Sequence, residues 1–291
     1  MAKKKVALSN ATKDIINFFN EKKIKVFSFN ELRDILYENI VKWKLSKSTT
    51  LKNFIEFLMG EGILKLIVID LPKLKMKRYT YGEPSIYEIA FSINKQAYFS
   101  HYTALFLHNL TNNIPKNVYI NYEQAKKMSD RGELTQENIN KAFSRPMRIT
   151  NQIAAVGNQK VYLLNGKNVG RLGVEEYKLD DNLFPVTGIE RTLIDITIRP
   201  NYAGGVQEVF NAYLAAKGKV SVNRLVSILN KMDYIYPYYQ AIGFYLEKAG
   251  YKDNILKLLE RFEMKYNFYL TYEVKETEYS SRWKLYYPRG F

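Results

Sequence analysis

Apolar residues recur at helical spacing in three stretches of the first sixty residues. The first stretch covers about 11–21. The second begins at Ser28, where Ser28 and Glu31 stand three apart in a capping-box pattern. The third begins near Ser46 or Ser48 and carries the clearest apolar stripe, which is Leu51, Phe54, Ile55 and Leu58. The pattern predicts three consecutive helices.

The pattern changes after Gly60 and Gly62, either of which can end the third helix. Residues 63–69 are rich in β-branched side chains, which predicts a strand. We expect 71–78 to form a basic loop and 79–81 to resume strand structure. Three helices, a strand, a basic loop and a strand are the order of a winged helix-turn-helix, predicted here over residues 1–82.

Helical and strand patterns are interleaved between residues 83 and 183. Strands are predicted over 86–91, 117–121, 148–156 and 160–164. Helices are predicted over 100–110, where Ser100 is a candidate cap, and over 136–143. This part of the chain is therefore expected to be mixed α and β.

Residues 184–291 are dominated by helical patterns. One helix is predicted after Phe184. Four more are predicted over 201–217, 221–231, 238–249 and 253–263. Two final strands are predicted over 268–274 and 283–287. We thus expect the α+β class, with a winged helix-turn-helix at 1–82 and one α+β domain over 83–291.

Positive charge is concentrated near the start of the chain. Forty-four Lys and Arg stand against 29 Asp and Glu, which gives a net charge of +15. The first 81 residues hold 17 basic and 8 acidic side chains, so more than half of the excess lies in about a quarter of the chain. This distribution favours nucleic acid as a partner over a merely solvated basic surface.

The third helix and the basic loop carry the candidate DNA contacts. Beginning near Ser46, the helix would present Lys47, Ser48, Thr49, Thr50, Lys52 and Asn53 at its outer face. Residues near the N-terminus of a recognition helix reach base edges in the major groove, and an asparagine there can pair with adenine. The loop supplies Lys73, Lys75, Lys77 and Arg78, which we expect to contact backbone phosphates.

Residue counts argue against several kinds of site. The chain has no cysteine, which excludes disulfides, thiolate zinc sites and iron–sulfur clusters, and two histidines are too few for a histidine-rich metal site. His101 and His108 would lie roughly 10 Å apart on one helix, too far to ligate one metal. We expect no cofactor, no metal, no membrane span and, lacking a signal-peptide pattern, a cytoplasmic location.

Two groups of polar residues are candidates for catalysis. In the first, Thr187 and Glu190 form a capping-box pattern, and Arg191 stands four residues before Asp195. We expect Glu190 to cap a helix and Arg191 to form an ion pair, so the interpretation of this group is structural.

The second group suggests an alternative function. Glu273 and Lys275 form a Glu-x-Lys pattern that metal-dependent nucleases use, with Asp253 as the candidate second carboxylate. Such patterns arise by chance in lysine-rich chains, so a nuclease stays an alternative.

Two segments resemble the AbiEi family of antitoxins from type IV toxin–antitoxin, or abortive-infection, systems. They are Tyr98–Leu105, with the sequence YFSHYTAL, and Pro185–Asp195, with the sequence PVTGIERTLID. The resemblance implies an N-terminal winged helix-turn-helix joined to a C-terminal antitoxin region. It further implies a repressor that binds double-stranded operator DNA of its own operon and counters a nucleotidyltransferase-like toxin encoded beside it.

The family supplies no catalytic residue, so we expect no enzymatic activity. The tyrosine-rich tail after Tyr266 matches no family motif. Besides the nuclease, the remaining alternative is a winged helix that docks on protein without specific DNA binding.

Overall fold

The structure is a computed structural model that describes residues 8–125, 132–273 and 275–291. The chain is of the α+β class and divides into two compact units. Unit 1 consists of residues up to 96 with 152–161 and 178–183, and unit 2 consists of 97–151, 162–177 and 184–291.

Four helices with both ends in the described residues belong to unit 1. They are α1 (Thr12–Glu21), α2 (Phe29–Asn39), α3 (Leu51–Gly60) and α4 (Ile86–Ile93). The capping box predicted at Ser28 is confirmed: Ser28 Oγ accepts the amide of Glu31 at 3.2 Å, and the Glu31 carboxylate accepts the amide of Ser28 at 2.8 Å. Local side-chain chemistry therefore fixes where α2 begins.

The strands of unit 1 pair antiparallel in the order β1-β3-β2-β6. They are β1 (Val26–Phe27), β2 (Lys65–Leu71), β3 (Leu74–Thr80) and β6 (Ile153–Val156). Strand β6 comes from a distant part of the chain and pairs with β2 at Ala155 and Asp70. Sequence reasoning could not assign β6 to this sheet, because nothing local in residues 153–156 specifies a partner.

Two predictions in this unit were wrong. The basic loop expected over 71–78 is mostly strand, because Leu71 pairs directly with Leu74 and leaves only Pro72 and Lys73 as the turn. The strand expected over 86–91 is helix α4, whose start is fixed by a capping box between Ser85 and Glu88. The Glu88 carboxylate accepts the Ser85 amide at 2.8 Å, and Ser85 Oγ accepts the Glu88 amide at 3.3 Å.

Aromatic rings fill the core between α1, α2 and α3. Phe19 and Phe54 are fully buried, and the Trp43 indole stacks on Phe54 at 5.8 Å between ring centroids. Phe19 meets Phe27 edge-on at 5.3 Å. Because α3 contributes Phe54, Ile55 and Leu58 to this core, its opposite face is left to solvent.

Unit 2 contains most of the helices. They are α5 (His101–Leu107), α6 (Gln136–Phe143), α7 (Ile189–Ile198), α8 (Val206–Ala215), α9 (Val222–Met232), α10 (Tyr238–Lys248) and α11 (Asp253–Glu260), with a short 3-10 helix at Pro200–Ala203. The prediction for α6 has the observed bounds. The helix predicted over 201–217 is interrupted at Gly204 and Gly205, which adopt φ of +84° and +95°.

The strands of unit 2 form a mixed sheet and a small second sheet. The strand order in the first is β7 (Gln159–Gly166), β5 (Asn117–Glu123), β4 (Tyr98–Phe99), β9 (Asn182–Thr187) and β8 (Val174–Leu179). The chain passes between the two units within β7, β8 and β9. The strand order in the second sheet is β10 (Phe268–Tyr269), β12 (Leu285–Pro288) and β11 (Thr277–Ser280).

The final strands are shorter than expected. The strand predicted over 268–274 ends at Tyr269, and Glu273 has a left-handed φ of +53° that no strand residue adopts. The second sheet rests on α10, where Gly243 lets the buried Trp283 indole lie against the helix backbone. Trp283 Nε1 donates to Glu247 at 2.8 Å, so the polar end of this buried ring is satisfied.

Candidate nucleic-acid interface

The N-terminus of α3 is fixed by a threonine cap. Thr50 Oγ1 accepts the backbone amide of Asn53 at 3.3 Å, so the helix begins at Leu51 rather than at the predicted Ser46 or Ser48. Residues 46–49 instead form a turn, in which the Thr49 amide donates to the carbonyl of Ser46. The predicted helix start was wrong because three hydroxyl residues could each have served as the cap.

The structure separates the six α3 candidates into two groups. Thr49 is buried, with 4% of its surface exposed, and its hydroxyl finds no hydrogen-bond partner among the described residues. A buried hydroxyl cannot reach a base, so Thr49 belongs to the core of unit 1. Lys47, Ser48, Thr50 and Lys52 are exposed, and Asn53 is half-buried.

These exposed groups offer donors and positive charge at a helix N-terminus. Lys52 lies 3.9 Å from Glu56, a solvent-exposed pair that leaves its ammonium free to exchange partners. The hydroxyls of Ser46 and Ser48 lie 2.8 Å apart. The unpaired backbone amides of a first helical turn favour an anion, which suits a DNA phosphate.

Three of the four loop candidates are exposed lysines of the β2–β3 hairpin. Lys75 and Lys77 stand at alternate positions of β3, so their side chains leave the sheet on the same side, and Lys73 lies in the turn at the tip of the β2–β3 hairpin. All three are exposed. Among the residues paired in this hairpin, the acidic one is Asp70, 3.4 Å from Lys75.

Arg78 faces the other way and is held by the protein. Its guanidinium donates to the carbonyl of Ser92 through Nη2 at 2.7 Å and Nε at 3.2 Å. Burial lowers the pKa of Arg78. The side chain links β3 to α4, which makes it a structural residue of unit 1 rather than an open phosphate contact.

Apolar side chains accompany the lysines, which sequence reasoning did not anticipate. Leu66 and Val68 are exposed by about two fifths, and Val68 pairs directly with Lys77. Lysine stems can lie along such apolar groups while their ammonium groups reach out. The hairpin face thus combines positive charge with apolar surface.

Unit 2 buries the ion pair predicted from the motif. Arg191 Nε donates to Asp195 at 2.8 Å, as the i, i+4 spacing predicted, and Arg191 also donates to the Leu172 carbonyl and the Tyr98 hydroxyl. Burial favours the neutral arginine, but the charge and hydrogen bond of Asp195 together with the Tyr98 and Tyr234 hydroxyls raise the pKa of Arg191. A guanidinium so fully engaged anchors three segments of unit 2.

The role predicted for Glu190 was wrong. Helix α7 has Gly188 at its N-cap and no side-chain cap. The Glu190 carboxylate instead accepts the amide of Ser221 at 2.9 Å and lies 3.7 Å from Arg224. Glu190 therefore ties α7 to the start of α9.

Both histidines have hydrogen-bond partners. His101 is buried and its Nδ1 lies 2.9 Å from Ser100 Oγ. His108 Nε2 donates to the Thr187 carbonyl at 2.7 Å. Within the described parts of the chain, no three His, Cys, Asp or Glu side chains are grouped as a metal site would require.

The nuclease residues are not arranged as a catalytic set. Asp253 accepts from Arg282 at 2.6 Å, and the same guanidinium also pairs with Glu247 and Glu260. Glu273 and Lys275 are exposed and lie between β10 and β11 rather than on a strand. Asp253 thus forms an ion pair with Arg282.

A groove in unit 2 was not predicted from the sequence. It has a volume of about 760 Å³, and its lining combines Arg145, Arg148 and Arg199 with four tyrosines. The signal in the sequence was the pair of arginines flanking Pro146-Met147, together with the tyrosine cluster at 234–239. We call it the basic aromatic groove.

No helix in the part of the chain described is both long and apolar enough to cross a bilayer. No protein-family model matches the chain, and no curated protein matches it. The fold is similar to that of the crystal structure of the RV2827C protein from Mycobacterium tuberculosis, with a TM-score of 0.61 over 95% of this chain and 91% of that one. The two sequences are 14% identical, so the similarity shows a shared fold.

Proposed function

We propose that the protein is a DNA-binding transcriptional repressor of its own operon, with unit 1 acting as a winged helix-turn-helix. The order α1, β1, α2, α3, β2, β3 fits that module. In this proposal α3 enters the major groove, and the β2–β3 hairpin is the wing that contacts the backbone.

The observation that carries the proposal is the pair of exposed basic surfaces on unit 1. Lys47 and Lys52 flank the N-terminus of α3, Lys75 and Lys77 lie on one face of the hairpin, and Lys73 lies at its tip. Lysines act as point charges that neutralise phosphates, which gives binding its salt dependence.

We further propose that the protein is the antitoxin of a type IV system. This part rests on the resemblance of Tyr98–Leu105 and Pro185–Asp195 to AbiEi antitoxins. In the structure these segments supply β4, α5 and α7 and are joined by Arg191 and the Tyr98 hydroxyl. The expected toxin is a nucleotidyltransferase-like enzyme encoded beside this gene.

The first experiment measures binding of the full chain to DNA from upstream of its own gene, against scrambled DNA, over a salt series. We expect specific binding that weakens steeply with salt. The test variant is Lys47→Gln/Lys52→Gln, and the matched control is Lys13→Gln/Lys23→Gln, which removes two exposed lysines elsewhere on unit 1. Equal loss in both variants, or no preference for the upstream DNA, would contradict recognition through α3 and favour a protein-docking role.

The antitoxin role has a separate test. The neighbouring gene is induced in cells with and without this protein, and growth is followed. Rescue of growth is the expected result. Growth arrest regardless of this protein would reject the antitoxin proposal and leave the repressor proposal standing.

A further inference from the structure

The basic aromatic groove carries positive charge without compensation. Its cationic side chains are Lys141, Arg145, Arg148 and Arg199, and no carboxylate occurs among the described residues that line it. Arg145 and Arg148 are exposed and form no ion pair with a carboxylate in the described ranges. An anion entering the groove would therefore meet the Arg145 and Arg148 guanidinium groups, which have no competing carboxylate in the described ranges.

The cations of the groove differ in type from those of the chain as a whole. The sequence has 32 lysines and 12 arginines, yet arginines outnumber lysines by three to one in the groove. Guanidinium groups bind phosphate oxygens in a planar, bidentate fashion that an ammonium cannot reproduce. The composition of the groove thus favours phosphate over a diffuse negative surface.

The tyrosine rings that line the groove are held in place by other aromatic rings. Phe143 stacks on Tyr272 at 4.5 Å with an interplanar angle of 15°, and it meets Tyr236 edge-on at 5.5 Å. Tyr236 also packs on Phe268. Tyr236 is only half-buried, so its ring is both oriented and accessible from the groove. Such fixed rings offer stacking surfaces for planar bases.

We propose that the basic aromatic groove is a binding site for a nucleoside phosphate, with the phosphates on Arg145 and Arg148 and the base against Tyr236. The volume of about 760 Å³ lies in the range of small-molecule sites. The nucleoside phosphate is either a free nucleotide or the phosphorylated end of a single strand. The site lies within unit 2, so this inference does not depend on DNA binding by unit 1.

The experiment is titration calorimetry of the full-length protein with four probes. They are ATP, inorganic tripolyphosphate, a 5′-phosphorylated six-nucleotide single strand and hexaglutamate. We expect ATP or the single strand to bind about ten-fold or more tightly than tripolyphosphate, because stacking adds to the interaction with phosphate. Which of the two binds more tightly distinguishes a free nucleotide from a strand end.

Charge variants locate the site. Arg145→Gln/Arg148→Gln is expected to weaken ATP binding about ten-fold or more, since it removes two groups that form charge-assisted hydrogen bonds with phosphate. The matched control, Lys252→Gln/Arg261→Gln, removes two exposed cations of unit 2 that do not line the groove, and it should retain affinity within about two-fold. Equal weakening of both variants would overturn the assignment.

Ring variants test the stacking. Tyr236→Phe keeps an aromatic surface and should bind ATP as the wild type does, whereas Tyr236→Leu should lose most of the advantage of ATP over tripolyphosphate. Thermal unfolding of both variants confirms that each is folded. Equal affinity for ATP and tripolyphosphate in the wild type, equal affinity for ATP and hexaglutamate, or no binding by ATP or the single strand up to about 1 mM would each overturn the proposal.

Discussion

His101 shows how burial and neighbouring positive charge can make one residue sensitive to pH. Burial, with the nearby Arg199 and Arg191 guanidinium groups, holds the pKa of His101 well below its ordinary value near 6.5. The unfolded chain therefore binds a proton near pH 6.5 that the folded chain does not. The free energy of unfolding should fall as the pH drops below about 6.5, by at most about 1.4 kcal/mol per pH unit from this group.

The variant His101→Asn tests this, because asparagine tolerates the left-handed φ of +51° at this position. Urea unfolding between about pH 7 and pH 5 should show a smaller loss of stability than in the wild type. The control His108→Gln leaves His101 in place and should keep the wild-type dependence. Parallel curves for the wild type and His101→Asn would show that His101 does not set the pH dependence.

Asn53 is the residue on which sequence reading by α3 depends. Its backbone amide is occupied by the Thr50 cap, and its half-buried side chain lies in the first turn of the helix. If the side chain pairs with a base, Asn53→Ala should cost about 1–3 kcal/mol of binding free energy on the preferred DNA and less on random DNA. Competition binding with both DNAs measures the difference; equal costs would make Asn53 a positioning residue.

Helix α10 needs Gly243 for space and not for a left-handed backbone conformation. A Cβ at Gly243 would overlap the buried Trp283 indole, so Gly243→Ala should destabilise the protein by about 1–3 kcal/mol. Gly60, at the end of α3, has no atom near its Cβ position, and Gly60→Ala should be neutral or stabilise by about 0.4–1 kcal/mol. Denaturant unfolding of the pair checks this; a stable Gly243→Ala variant would show that Trp283 can shift.

The sequence predicted elements well where one local signal dominated. The capping box at Ser28 identified α2 correctly, and the apolar stripe identified α3. The start of α3 was misplaced because Ser46, Ser48 and Thr50 compete as caps, and only the observed bond to Asn53 selects Thr50.

Other elements needed information that no local window holds. Residues 86–91 were predicted as a strand, but the capping box between Ser85 and Glu88 begins a helix there. The groove escaped prediction because Arg148 and Tyr236 are far apart in sequence and meet only in the folded unit.

At the scale of the whole molecule, the hairpin lysines should govern the salt dependence of DNA binding. Lys73→Gln/Lys75→Gln/Lys77→Gln should make the slope of log affinity against log salt shallower by about 0.9 for each phosphate that is no longer neutralised. A matched triple, Lys116→Gln/Lys252→Gln/Lys257→Gln, removes the same charge from exposed positions of unit 2. An unchanged slope in the hairpin variant would show that the hairpin does not touch DNA.

Strand β6 is synthesised long after its partner β2, which has a consequence for folding on the ribosome. Strand β2 needs β3 on one side and β6 on the other, but β6 ends 76 residues after β3 does. At about 5–20 residues per second, the second edge of β2 stays unpaired for roughly 4–15 s after the hairpin is complete. During that interval Leu66 and Val68 flank an open strand edge, which makes the nascent chain a candidate for chaperone capture or for pairing between neighbouring copies.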